Sequence, residues 1–157
     1  MAISPSAVLQ CVEHESEVMQ AFIVALESEA EVLSQGQLDD ELNACTAEKN
    51  RCAEELTRAA EHRDQLLQAA GFKAGKEGMD AAAAEDAALE EAWKQLLELV
   101  AQASELNRAN GALIERLLKQ NNEALHTLRA LAGGSNLYDA TGRASQVGSS
   151  RTSIRAG

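Results

Sequence analysis

The chain has 157 residues, the length of one ordinary domain. It carries 25 aspartates and glutamates against 14 lysines and arginines, a net charge of −11. That sign is wrong for neutralising nucleic-acid phosphates or for settling on an anionic membrane surface, so no nucleic-acid partner is expected.

Aromatic residues make up 3% of the chain, and Trp93, Tyr138, Phe22 and Phe72 are the only large flat side chains. Enzyme pockets and base-stacking platforms ordinarily use more. There is one proline, Pro5, and alanine and leucine supply most of the 45% hydrophobic content, the composition of long helices. No run approaches the ~20 apolar residues of a membrane-spanning helix, so no membrane insertion is expected. The N-terminus lacks a basic stretch and turns acidic at Glu13, unlike a secretory signal. The cysteines, Cys11, Cys45 and Cys52, are too few for a disulfide scaffold. Cys45 and Cys52 would lie about 10 Å apart along a helix, beyond disulfide reach. A reducing, cytoplasmic location fits this usage.

In chain order, the first predicted helix spans about 4–35, with Ser4 as cap and Pro5 at the first helical position. Its apolar seam is Leu9, Val12, Ser16, Met19, Ile23, Leu26, Ala30 and Leu33, in alternating steps of three and four. Glu13, Glu15, Glu17, Glu27, Glu29 and Glu31 are read as its solvated face, and Gly36 ends it. The second helix spans about 37–70, with the seam Leu38, Leu42, Cys45, Lys49, Cys52, Leu56, Ala59, Arg63, Leu66 and Ala70. Lys49 and Arg63 interrupt that seam, and the expectation is that their stems cover apolar surface while their heads reach water. Gly71 and Phe72 supply a left-handed cap and a fold-back contact.

Residues 71–79 are read as a loop. Its Gly75-Lys76 lacks the spacing, the following Ser or Thr and the preceding strand of a phosphate loop. The third helix is predicted as one piece over 80–132, closed by Gly133-Gly134. Its stripe is Leu89, Trp93, Leu96, Val100, Ala103, Asn107, Asn110, Ile114, Leu117, Asn121, Leu125 and Leu128, widened by Leu97, Leu106, Leu113, Leu118 and Leu131. Residues 133–157 shift to Gly, Ser, Thr and Arg and have too little apolar content to fold alone, so a disordered, flexible tail is expected.

The expected fold is therefore all-α: an antiparallel, coiled-coil-like three-helix bundle over 1–132 with a long C-terminal helix. The first two helices would each be about 45–50 Å long and the third roughly 75–80 Å. Some 18–20 residues, about Leu113 to Ala132, must then overhang at 1.5 Å per residue. Seven bulky apolar side chains in that stretch would make an unusual exposed patch. Either the helix bends back, or chains pair, as in a weak homodimer or a structural coiled coil, or another protein covers the stripe.

Asn107, Asn110 and Asn121 fall on this stripe. A buried asparagine must hydrogen-bond and can fix register. The reading preferred here is a wet seam, or a mark where the helix leaves the bundle. Gly111 could permit a close helix approach or a bend. His14, His62 and His126 are scattered over three helices with no ligand spacing around them, so no metal or other cofactor is expected. The cysteines read as small core residues, and no nucleophile–base arrangement occurs, which argues against an enzyme. Leu137-Tyr138 is the bulky pair of the tail, the kind of short element that docks to a partner.

The run Leu106-Asn107-Arg108-Ala109-Asn110-Gly111-Ala112-Leu113-Ile114, then Leu125 and Leu128, then Leu137-Tyr138-Asp139-Ala140-Thr141-Gly142, resembles the FlgN family of cytoplasmic flagellar type III export chaperones. The resemblance is specific over about 100–142 and generic over the first two helices. It implies binding of the C-terminal segments of hook-associated proteins and their delivery to the export gate. It implies a client-binding surface on the C-terminal helix, here Asn110, Gly111, Leu113, Ile114, Leu117, Leu118, Asn121, Leu125 and Leu128. It also implies docking to the export gate through the tyrosine after that helix, here Tyr138.

Overall fold

A computed structural model describes residues 5–36 and 38–132. The described residues form four helices, α1 (Pro5–Ser34), α2 (Asp40–Ala69), α3 (Gly75–Ala83) and α4 (Ala87–Leu131), and no strands. The all-α class and the long last helix are as expected: α4 has 45 residues against 30 in each of α1 and α2. Ser4 and the tail from 133 onward, Tyr138 included, lie outside the described residues.

Local chemistry sets the helix ends. Asp39 caps α2, its carboxylate accepting from Glu41 N at 3.1 Å and Leu42 N at 3.4 Å. At the other end Phe72 N donates to Leu67 O at 2.9 Å and Gly71 N to Gln68 O at 3.0 Å. This paired closure needs the left-handed backbone that Gly71 adopts, φ 92°.

Two sequence expectations fail between 71 and 90. The segment read as a loop is partly helical: α3 begins at Gly75, whose N–H is held by the Asp64 carboxylate at 2.9 Å. Lys73–Glu77 and Lys76–Asp80 pairs, one turn apart, support it. The third helix is also not one piece. It breaks after Ala83 because Asp86 turns its carboxylate onto Ala88 N (2.9 Å) and Leu89 N (3.2 Å), capping a new helix. An aspartate that can bond nearby N–H groups favours a cap over a helix interior, even beside an alanine run.

The described chain forms two units, residues 1–112 and the stretch from Leu113. The core of the first gathers Val8, Val12, Met19, Ile23 and Leu26 of α1, Leu67 of α2, Met79, Ala82 and Ala83 of α3, and Leu89, Trp93, Leu96 and Ala103 of α4. Gly78 is needed there, since a Cβ on it would stand 1.6 Å from the Lys73 carbonyl oxygen. The second unit is the C-terminal part of α4.

Polar residues fix the α1–α2 pairing. Arg63 Nη1 donates to both carboxylate oxygens of Glu15 at 2.8 Å, and Lys49 Nζ reaches Glu29 Oε2 at 3.2 Å. The two pairs lie two heptads apart on each helix and in opposite order, so α1 and α2 run antiparallel. This corrects two expectations. Glu15 and Glu29 are buried, at 5% and 0% exposure, not on the solvated face. Arg63 and Lys49 turn their heads to those carboxylates instead of to water, because the seam positions of α2 face them across the interface.

Candidate functional site

Two neighbouring features of α4 carry the functional reading: a buried polar node near its middle and an apolar face in its C-terminal part.

The node centres on Glu29. Its Oε1 accepts from Asn110 Nδ2 at 2.9 Å and Lys49 Nζ at 3.3 Å, and its Oε2 accepts from Thr46 Oγ1 at 3.1 Å. Asn110 Nδ2 also donates to the Leu26 carbonyl at 2.9 Å. Asn110 is 3% exposed, so the wet-seam expectation is wrong for this residue: its amide meets a carboxylate and a carbonyl of α1. Asn107 and Asn121 are exposed. A Cβ on Gly111 would meet nothing within 4 Å, so this glycine does not serve a close helix approach, and α4 runs through it without interruption.

Two heptads away in the α1–α2 pairing lies a second node. The Arg63 guanidinium, bound to Glu15, stands 5.3 Å from the Trp93 ring centroid. The Trp93 indole N–H donates to Asp80 at 2.8 Å. Burial pushes the Glu15 carboxyl above its usual range, and Arg63 pulls back against it. Burial likewise raises the Cys11 and Cys52 thiols, which keeps them protonated and poor nucleophiles. The sequence signal for both nodes is a shared spacing: the two basic residues on the α2 seam are as far apart as two glutamates of α1.

Beyond Ala112 the predicted binding residues divide by burial. Leu113, Ile114 and Leu117 are half-buried. Leu118 and Leu125 are each 50% exposed, Leu128 62% and Leu131 77%. At 100° per residue, Leu113, Ile114, Leu117, Leu118, Asn121, Leu125, Leu128 and Leu131 fall within an arc of about 140°. Glu115, Lys119, Glu123 and His126 occupy the opposite arc. Charge divides at the same point of the chain, −14 through residue 112 and +3 from 113 to 157. No cluster of three or more metal-ligating side chains occurs among the described residues. Among them, no helix is long and apolar enough to cross a membrane.

An acidic helical protein whose longest helix presents a run of leucines to solvent has the equipment of a helix-docking binding protein. A sequence model of the FlgN protein family matches residues 1–146, nearly the whole chain. The Flagella synthesis protein FlgN of Proteus mirabilis is 30% identical over 120 residues, 76% of this chain and 77% of that protein. No solved structure matches. The chain belongs to the FlgN family, a family of flagellar export chaperones.

Proposed function

We propose that this protein is a cytoplasmic export chaperone that holds the C-terminal segments of flagellar hook-associated proteins and delivers them to the type III export gate. It acts stoichiometrically, without a cofactor and without catalysing a reaction. The observation that carries this reading is the solvent-facing stripe of Leu118, Leu125, Leu128 and Leu131 in a chain of this family.

An amphipathic client helix laid on that stripe removes the leucines from water, at roughly 1.5–3 kcal/mol for each side chain fully buried. Ordering the client costs several kcal/mol, which keeps affinity moderate and allows release. Leu113, Ile114 and Leu117 extend the surface, and Tyr138 is assigned to the gate. Asn121 lies exposed within the same arc and can hydrogen-bond the client's backbone or side chains.

The same face suits a second copy of the chain, so a weak homodimer is the competing occupant. Replacing Leu117 and Leu125 with glutamate tests the assignment. Client binding is lost while far-UV helicity stays within a few per cent. Retained affinity in that variant places the client elsewhere.

A further inference from the structure

The buried residues of α4 include Leu89, Leu96, Ala103 and Asn110, spaced by one heptad each. The ladder continues in sequence through Leu117, Ala124 and Leu131. Apolar contacts repeated at this interval do not by themselves distinguish one axial register from a register displaced by a heptad, about 10.5 Å. Asn110 breaks that degeneracy. In the observed register its amide binds the Leu26 carbonyl and the Glu29 carboxylate, each at 2.9 Å. Glu29 is fully buried and is also held by Thr46 and Lys49, so one carboxylate ties α1, α2 and α4 at a single level. Displacing α4 by a heptad puts an apolar side chain against that carboxylate and takes away one of its donors.

We infer that the Asn110–Glu29 hydrogen bond is a register pin that determines which leucines of α4 remain available to a client. Asn110 is then a positioning residue, not a client contact. The inference rests on the stripe after residue 112 being the docking surface.

A polar residue at such a position costs stability and gives specificity, so the test separates the two. Asn110→Leu takes a donor from the buried Glu29 and lowers the melting temperature, and it weakens binding of a hook-associated protein's C-terminal peptide, measured by calorimetry, by about tenfold or more. It also shifts the emission of Trp93, the single tryptophan, whose Asp80 and Arg63 contacts depend on the position of α4. Asn110→Asp, which sets two carboxylates together, weakens binding as well. The double variant Glu29→Leu/Asn110→Leu removes both buried partners, keeps the melting temperature near the parent's, and still weakens binding by about tenfold.

Asn110→Leu binding within about twofold of the parent overturns the register pin, whatever its emission. The double variant separates register from stability: weakened binding in a chain as stable as the parent supports the pin, and binding within about twofold of the parent overturns it. The Leu117→Glu/Leu125→Glu chain is run in parallel. If it still binds, the docking reading falls and the pin with it. If it loses binding while Asn110→Leu keeps it, the pin alone falls.

Discussion

The guanidinium of Arg63 is held on one side by Glu15 at 2.8 Å and lies 5.3 Å from the ring of Trp93. One α2 side chain thus joins α1 to α4 through an ion pair and a cation–π contact. Its Nε has no hydrogen-bond partner, so the Glu15 pair, the ring and Asp64, 3.7 Å from Nη2, carry the cost of burying the charge. Arg63→Ala leaves Glu15 buried without its cation and is expected to lower the urea-unfolding free energy by about 3–5 kcal/mol. Replacing both partners, Glu15→Leu with Arg63→Met, is expected to come within about 1 kcal/mol of the parent or above it. A double replacement as costly as Arg63→Ala would show that the charges stabilise the fold outright.

Asp80 gives a spectroscopic handle on acid behaviour. Lys76 and then the Trp93 indole N–H hold its carboxyl below the ordinary aspartate value of 3.8. A depressed folded pKa contributes stability that is present above the unfolded value and is lost as pH falls through the folded one. Trp93 emission should therefore change with a midpoint below 3.8. Asp80→Asn should remove that transition. Glu15 has the opposite sign: its raised carboxyl favours the folded state below its unfolded pKa, a contribution lost as pH rises through the folded value.

Asp86 separates α3 from α4 by capping the latter at Ala88 N and Leu89 N. Asp86→Ala is expected to cost about 1 kcal/mol, and Asp86→Ser to recover most of it. Chemical denaturation of the three chains reads this directly. An alanine variant as stable as the parent would show that the break is set by packing and not by the cap.

Gly78 packs its α-carbon against the backbone carbonyl of Lys73. A methyl group cannot enter that gap without moving α3. Gly78→Ala is expected to destabilise by roughly 1–3 kcal/mol, as overpacking does, despite alanine's higher helix propensity. A stabilised variant, measured by thermal melting, would mean that α3 moves away at little cost.

Much of the fold was legible because it follows from period and punctuation. The three-four seam of α1 and the Gly71-Phe72 closure are local patterns, and they appear where the sequence places them, whereas Val100 and Asn107 of the α4 stripe are exposed. The errors arose where a side chain's role depends on a partner distant in sequence. Glu15 and Glu29 look like any surface glutamate until Arg63 and Lys49 are placed opposite them. Asn110 reads as part of a wet seam until Glu29 stands beside it. The break before α4 is hidden in sequence by the alanine run, whose helix propensity is high, whereas in the structure one aspartate beside it makes two backbone hydrogen bonds. The leucine spacing after Leu113 follows from the local helical period alone, and Leu118, Leu125, Leu128 and Leu131 are exposed.

The central claim is that the stripe after Ala112 takes the C-terminal segment of a hook-associated protein. Calorimetric titration with peptides of about 40 residues, enough for one docking helix and its flanks, tests it most directly. The account predicts saturable one-to-one binding with a negative heat-capacity change, the mark of apolar burial. Absence of binding to every such segment, together with an oligomer that persists on dilution, would contradict it and assign the stripe to a second copy of the chain.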